Sequence, residues 1–356
     1  MFYAKDWEMT KKRWKAAWNN EIVDRCIVTV TAPKNNVKFS KTKKINNDDL
    51  NRYWTDAEWI LERKMKEFDN TYFAGDAFAS IFLNLGVSAH AGFFKGAKYH
   101  YADECIWFSP SMESYEDGLI YDKESYLYRK TIEIASYLVE EVQHKFVVSM
   151  PDVTGNMDAL AHLRGSENVL MDMLIHKEQI KESMKKIEIA FETIMSDVYD
   201  IVKDNNQGGS HIGWMQTWAP GLHAQMQSDI SVMISPAMYE EFIMPELKAQ
   251  SQFLDYPLYH FDGVDQVKHL DLLLSLPELK MIQWTNVDGQ PSVTNYIPTL
   301  KKMQEAGKGV LIFARPDQIE LLMSELSSKG LVLNTWANSE EEADEIVKKV
   351  EKWTHE

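Results

Sequence analysis

The chain has 356 residues, 45% of them hydrophobic, with 54 acidic against 38 basic side chains and a net charge of −16. That length accommodates one large α/β barrel or two smaller domains, and the apolar share supports a sizeable core. The acidity argues against nucleic acid or an anionic membrane as partner, and two cysteines, Cys26 and Cys105, are too few for a disulfide scaffold or a four-cysteine zinc site.

The opening stretch, MFYAKDWEMTKKRWKAAW, carries charges throughout and lacks the apolar run of a secretory signal. Residues 1–25 therefore read as a helical extension. No run approaches the length of a membrane span, and the sparing use of cysteine fits a reducing cytoplasm. CIVTVTAP (26–33) reads as a strand and residues 54–68 as a helix. The stretch 85–128 is rich in Gly, Tyr, Phe and Trp and predicts long loops over one end of the molecule, a natural place for a substrate cover. KFVVSMP (145–151) reads as another strand.

Residues 177–202 place Ile180, Met184, Ile187, Phe191, Ile194, Val198 and Ile201 on one helical face. Gly208 and Gly209 then break the chain before HIGWMQTW, which reads as a strand with His211, Gly213, Met215 and Thr217 on one side. Ser235-Pro236 predicts a helix start, and Pro245 a kink in that helix. Four runs follow, PLYHF (257–261), KMIQW (280–284), GVLIF (309–313) and LVLNT (331–335), starting 22 to 29 residues apart. Ser339 and Glu342 stand in capping-box spacing before the last helix. Strands and helices alternating at this period predict a parallel sheet with crossover helices. Neither GxGxxG nor GxxxxGK[ST] occurs, so a (β/α)8 TIM barrel is expected over a doubly wound sheet. No linker-like stretch divides it, so 1–356 reads as a single domain.

In such a barrel the chemistry collects after the strands. HFDG ends one of them, and His260 and Asp262 share a face by the strand period of two. A histidine and a carboxylate so placed suit a metal or an acid/base pair, with a structural hydrogen-bonded pair as the plainer reading. His211, Trp214 and Trp218 come from HIGWMQTW. Trp284, Arg315, Asn334 and Trp336 follow other strands, and Asp229 in QSDIS is a candidate buried carboxylate. The 11 tryptophans fill a core in the plain reading; in the sharper one Trp214, Trp218, Trp284 and Trp336 wall a pocket for a flat or cationic ligand. No GxSxG or HExxH occurs, and Cys26 and Cys105 read as small buried hydrophobes.

On the segments MDALAHLRGSENVLMDML (157–174), QSDISVMISPAMYEEFIMPELK (227–248), YHFDG (259–263), IQWTNVDGQPS (282–292) and GLVLNTWANSEEEADEIVKKV (330–350), the chain resembles the uroporphyrinogen decarboxylase-like superfamily. That group includes corrinoid-linked methyltransferases and is related to cobalamin-independent methionine synthase. The resemblance covers roughly residues 140–356 well and the first 140 loosely. It implies a (β/α)8 barrel that binds substrate at its open end. The decarboxylase signature of type MRQAGR is missing, and only seven arginines occur, few for a substrate with eight carboxylates. The methyltransferases hold zinc with a His-x-Cys pair and a later cysteine. Here the pair aligns with His260 and Asp262, and the later cysteine falls near Asn334-Thr335.

The resemblance thus implies a methyltransferase that moves a methyl group between a small methylated substrate and a corrinoid carried on a partner protein. His260 and Asp262 would hold zinc or act as acid and base, together with His211 and Asp229. It leaves a homodimer open. Two alternatives stand beside it. One is a decarboxylase of a small acid, with Asp229 or Asp262 protonating the carbanion and Arg315 binding the carboxylate. The other is a barrel that binds a small molecule without chemistry.

Overall fold

Short runs rich in β-branched and apolar residues form the strands here, and polar, helix-forming segments cover them. The computed structural model describes residues 3–34, 44–116 and 118–355, so Met1 and Phe2 of the N-terminal segment lie outside the described residues. The strands are β1 (Ile27–Pro33), β2 (Thr71–Gly75), β3 (Ser80–Leu83), β4 (Lys98–Tyr101), β5 (Ile106–Ser109), β6 (Val147–Pro151), β7 (His223–Met226), β8 (Tyr256–Phe261), β9 (Met281–Trp284), β10 (Gly309–Phe313) and β11 (Leu331–Trp336). The main sheet has seven strands in the order β2-β1-β11-β10-β9-β8-β7. All its neighbours are parallel except β1 and β2. β3 and β6 form a separate parallel pair, and β4 and β5 a hairpin.

The architecture is a mixed α/β fold on a parallel sheet. Among the described residues the ladders do not run unbroken around a closed barrel. β6 reaches toward β7 through a single bridge, Met150 to Ile212, and β1 pairs with antiparallel β2 while β3 pairs with β6. The sheet is nevertheless curled. Ile27, Val147, Leu258, Met281, Leu311 and Val332, one from each of six strands, meet in one buried cluster.

The helix Trp7–Trp18, capped by the Asp6 carboxylate, closes that cluster from the side of the strand starts. Trp7, Trp14 and Trp18 all join it, and the Trp18 indole donates to the Trp218 carbonyl at 2.9 Å. So the N-terminal extension is a plug, and it accounts for three of the tryptophans.

Two expected elements change. HIGWMQTW is not a strand: Gly213–Met215 is one 3-10 turn, Gln216 is left-handed, and Ser210 bridges back to Ala219. The strand lies just after it, at His223–Met226. Its inward positions are His223 and Gln225, so no apolar run announces it. The segment 85–128 forms the β4–β5 hairpin and a 3-10 turn at Ala89–Phe93. Hydrogen bonds tie the hairpin region to helices: Trp54 Nε1 to the Ala102 carbonyl, and the Ser111 and Met112 amides to Leu163. Of the expected cover, residues 88–90 meet the end of β6, where the Ala89 amide donates to Asp152.

The remaining readings agree with the structure in kind. The helix expected at 54–68 is two helices broken at Asp56, which caps the second. The Pro245 kink is realised upstream as a π-turn over Tyr239–Ile243, which places the ring in the first turn of the next helix, where a missing N–H is harmless. Ser339 caps the last helix, but Glu342 reaches the amide of Asn338 rather than that of Ser339.

Gly75 ends β2 with φ of +64°, and a Cβ there would lie 2.3 Å from the Val28 carbonyl oxygen. Gly75→Ala is expected to destabilise the protein by at least about 2 kcal/mol, the sum of left-handed strain and a clash with strand backbone. Urea unfolding checks this, and an unchanged midpoint would contradict the packing of β2 on β1.

Candidate active site

The strand period decides which side chains meet inside the curl. On β8, Leu258 and His260 face inward while Tyr259 and Phe261 join the outer core; on β9, Met281 and Gln283 face inward while Ile282 and Trp284 do not. Register places His260 beside Gln283. The Gln283 amide donates to the Trp284 carbonyl at 2.8 Å, so its Oε1 is the acceptor facing His260 Nδ1 at 2.6 Å. Nδ1 therefore carries a proton, and Thr285 Oγ1 stands 3.1 Å from it. His260 Nε2 is left to point at Asp229 Oδ1, 3.9 Å away.

Asp229 begins a 3-10 turn just after β7. Asp158 holds this turn, accepting from the Asp229 and Ile230 amides at 2.9 Å each. Asp229 Oδ2 accepts from Gln227 Nε2 at 3.2 Å, while Oδ1 is sealed from water without a hydrogen-bond partner. Burial pushes the Asp229 carboxyl up, the His260 charge opposes this, and the Asp262 charge adds to it. A carboxyl whose hold on its proton is strengthened, with an unpartnered oxygen facing an imidazole nitrogen, is placed to donate to a third group.

A polar chain extends from this pair. Gln227 Oε1 accepts from Gln225 Nε2 at 2.8 Å, and Gln225 Oε1 accepts from the Trp214 indole at 2.6 Å. Trp214 thus stands edge-on to His260, with ring centroids 5.3 Å apart, and lies parallel to Phe313 at 5.9 Å. Gln225 Nε2 also reaches Thr154 Oγ1, which donates to Asp152 at 2.9 Å. Asp262 follows β8 on the inward parity, and Gln266 fixes its amide. The next residue, Gly263, has φ of +72°, and a Cβ there would lie 2.6 Å from Gln290 Oε1, which explains the glycine of HFDG.

Of the expected residues, the structure brings together His260, Asp229, Asp262 and Trp214. Trp336 ends β11 on the parity of Asn334 and is 49% exposed, open enough to meet a ligand. The others lie elsewhere. Trp218 is buried in the plug beside Trp7. Trp284 faces the helices, between Phe261 and Tyr296. His211 is buried against Phe78, its Nδ1 bonded to the Thr217 carbonyl, and burial lowers it to about 4. Asn334 faces inward, but Thr29 and the Met215 carbonyl engage its amide. Arg315 is exposed, paired with Asp317, and supplies no cation to the site.

Asp152, Asp158, Gln225, Gln227 and Gln283 escaped the sequence reading. Asp152 directly follows the expected strand 145–151, so the strand-end rule that flagged HFDG applies to it as well. Burial raises Asp152 and Asp158 each to about 7. The unfolded value is about 3.9, so the folded state holds these protons longer. Their contribution is fully present below pH of about 4 and is lost as pH rises through 7. Asp152→Asn keeps the acceptor for Thr154 and removes one titration. Its stability relative to wild type is expected to rise between about pH 4 and pH 7; denaturant midpoints at a series of pH values read this, and a flat difference would contradict it.

Zinc requires ligands that converge. Among the described residues no three His, Cys, Asp or Glu side chains do so. Cys26 is buried at the start of β1 and Cys105 lies in the hairpin. Among the described residues His260 and Asp262 thus have no third such donor with them, and no step is derived through zinc.

No protein-family profile matches the chain, and no curated protein matches it significantly. Among solved structures it is similar to a methyltransferase from Methanosarcina mazei, with 11% identity, a TM-score of 0.64, and coverage of 96% of this chain and 98% of that one. A B12-independent methionine synthase from Shewanella sp. W3-18-1, in complex with selenomethionine, superposes with 11% identity and a TM-score of 0.47 over 93% of this chain and 96% of that one. The first likeness extends over nearly the whole of both chains and is one of fold. No helix among the described residues is long and apolar enough to cross a membrane.

Proposed function

We propose that the chain is a single-domain, barrel-like enzyme of the cytoplasm that removes a methyl group from a small methylated substrate. The observation that carries this reading is the unpartnered Asp229 Oδ1 facing His260 Nε2. When a methyl group leaves an ether oxygen, that oxygen is left as an anion and needs a proton, whereas a methylammonium nitrogen leaves as a neutral amine and needs none. Asp229, whose carboxyl burial shifts toward the protonated form, supplies that proton, and the imidazole beside it fixes the direction of transfer. Trp214 and Phe313 give a flat aromatic wall against which a methoxyaromatic ring stacks or a methylammonium head sits. The methyltransferase fold likeness agrees with this chemistry.

A corrinoid on a partner protein supplies the methyl acceptor, as the sequence resemblance implies. This chain's own part is to bind the substrate, exclude water and hold the proton at Asp229 Oδ1. The decarboxylase reading is the weaker one, since Arg315, its carboxylate-binding group, is exposed and paired with Asp317.

The test is a panel of methoxybenzoates, methoxyphenols and methylammonium ions, incubated with the protein and a reduced corrinoid protein. Methyl transfer is followed in the corrinoid spectrum and demethylated product by chromatography. At least one methylated substrate is expected to turn over. Turnover of none, or equal turnover by His260→Ala, would overturn the reading.

A further inference from the structure

On the outside of the fold, the long helix Lys177–Val202 and the helix Met244–Phe253 leave between them a groove of about 480 Å³. Part of its wall is apolar, formed by Met184, Ile189, Phe242, Pro245 and Ala249. Phe242 belongs to the π-turn just before Pro245, a feature that recurs at functional sites. Three carboxylates, Glu188, Glu241 and Glu246, and two lysines, Lys181 and Lys185, also line the groove; Glu188 and Glu246 are the two that reach inward to Asn156.

These two acids are unusual for what they lack. Glu246 is 94% buried by its 6% exposure, yet its Oε2 has no hydrogen-bond partner; Glu188 Oε1 and Gln250 Oε1 are sealed and unpartnered as well. The other oxygens are committed. The Asn156 amide N–H donates to Glu246 and its side chain to Glu188, and Gln250 Nε2 lies 3.4 Å from Glu246 Oε1. The acids therefore converge on Asn156, and among the described residues neither forms an ion pair. Lys181, at the rim, is drawn to Glu178 and Glu241, and Lys185 to Glu182. Burial and the Glu192 charge push Glu188 up to about 8, and burial and the Glu188 charge push Glu246 well above its ordinary range. At neutral pH these acids hold their protons, and a bound cation takes the place of those protons at oxygens that lack other donors.

We propose that this groove is a second ligand site, for a small organic ammonium ion with an apolar tail. An R–NH3⁺ head carries three donors, matching Glu188 Oε1, Glu246 Oε2 and the adjacent Gln250 Oε1. The tail lies along Met184, Phe242 and Ala249. A metal does not suit the place, since among the described residues no third carboxylate, histidine or cysteine joins the pair. The proposal is independent of methyl transfer at His260 and stands whether or not that reading holds.

Calorimetric titration of the full chain with n-hexylammonium, hexan-1-ol and hexanoate at neutral pH tests it. One saturable site for hexylammonium is expected, with the alcohol and the carboxylate at least about tenfold weaker. Glu246→Gln keeps an acceptor for Asn156 and is expected to weaken hexylammonium at least about tenfold. Ala249→Phe, which fills the groove and leaves both acids in place, is expected to do the same. Circular dichroism establishes that each variant is folded, and Ala249→Phe decides should Glu246→Gln misfold. No saturable binding of hexylammonium, equal binding of hexan-1-ol, or unchanged binding by Ala249→Phe would overturn the proposal.

Discussion

Asp229→Asn is expected to lower kcat at least about 100-fold while leaving KM for the methylated substrate within about threefold. Asparagine has nearly the same shape, and its side-chain oxygen still accepts from Gln227 Nε2. The turn stays in place because Asp158 holds it through the backbone amides of Asp229 and Ile230. What disappears is the acidic proton at Oδ1. An interaction made only as the methyl group leaves affects kcat and spares ground-state binding. Steady-state kinetics on the substrate identified by the panel reads both constants. Loss of affinity with kcat intact would make Asp229 a binding group instead.

The largest expected effect on stability lies at the other end of the fold. Asp76 is fully buried and follows β2. Its carboxylate pairs with buried Arg25 and, at 3.0 Å, with Arg13, and it accepts from the Val28 amide at 3.1 Å and from Thr10 Oγ1 at 3.3 Å. One side chain thus joins the plug helix, the entry to β1 and the end of β2. Asp76→Ala leaves the Arg25 guanidinium buried without its anion, and breaking such a pair from one side costs about 3–5 kcal/mol. Asp76→Asn keeps acceptors but no charge and is expected to fall between. Guanidinium unfolding with a common slope reads the differences; an Asp76→Ala variant within about 1 kcal/mol of wild type would mean that the plug helix is not held this way.

Regular strands were legible where their apolar residues run together, as in GVLIF and LVLNT. They were illegible where the inward face is polar. β7 carries His223 and Gln225 inward, so periodicity pointed instead to the aromatic run HIGWMQTW. The left-handed Gln216 and the return of Ser210 to Ala219 depend on tertiary packing that no local pattern encodes. The candidate site shows the same division. HFDG delivered His260 through the strand period, and QSDIS delivered Asp229. The tryptophans misled because strand-end position does not fix which face a ring takes. Trp284 ends β9 on the outward parity, and Trp218 is drawn into the plug by Trp7 and Trp18. The glutamines that orient His260 and Trp214 have no sequence signature, since Gln225, Gln227 and Gln283 matter only through which atoms they have left to offer.

The protonation of Asp229 is the point on which the chemistry turns, and it is measurable without a substrate. Infrared difference spectra of wild type against Asp229→Asn, recorded along a pH titration, isolate the carbonyl stretch of a protonated Asp229. The band is predicted to persist above the ordinary carboxyl midpoint of about 3.9, because burial and the Asp262 charge favour the neutral form over the opposing pull of His260. A band lost at or below that midpoint would mean an ionised Asp229 with no proton to give, and would contradict the account.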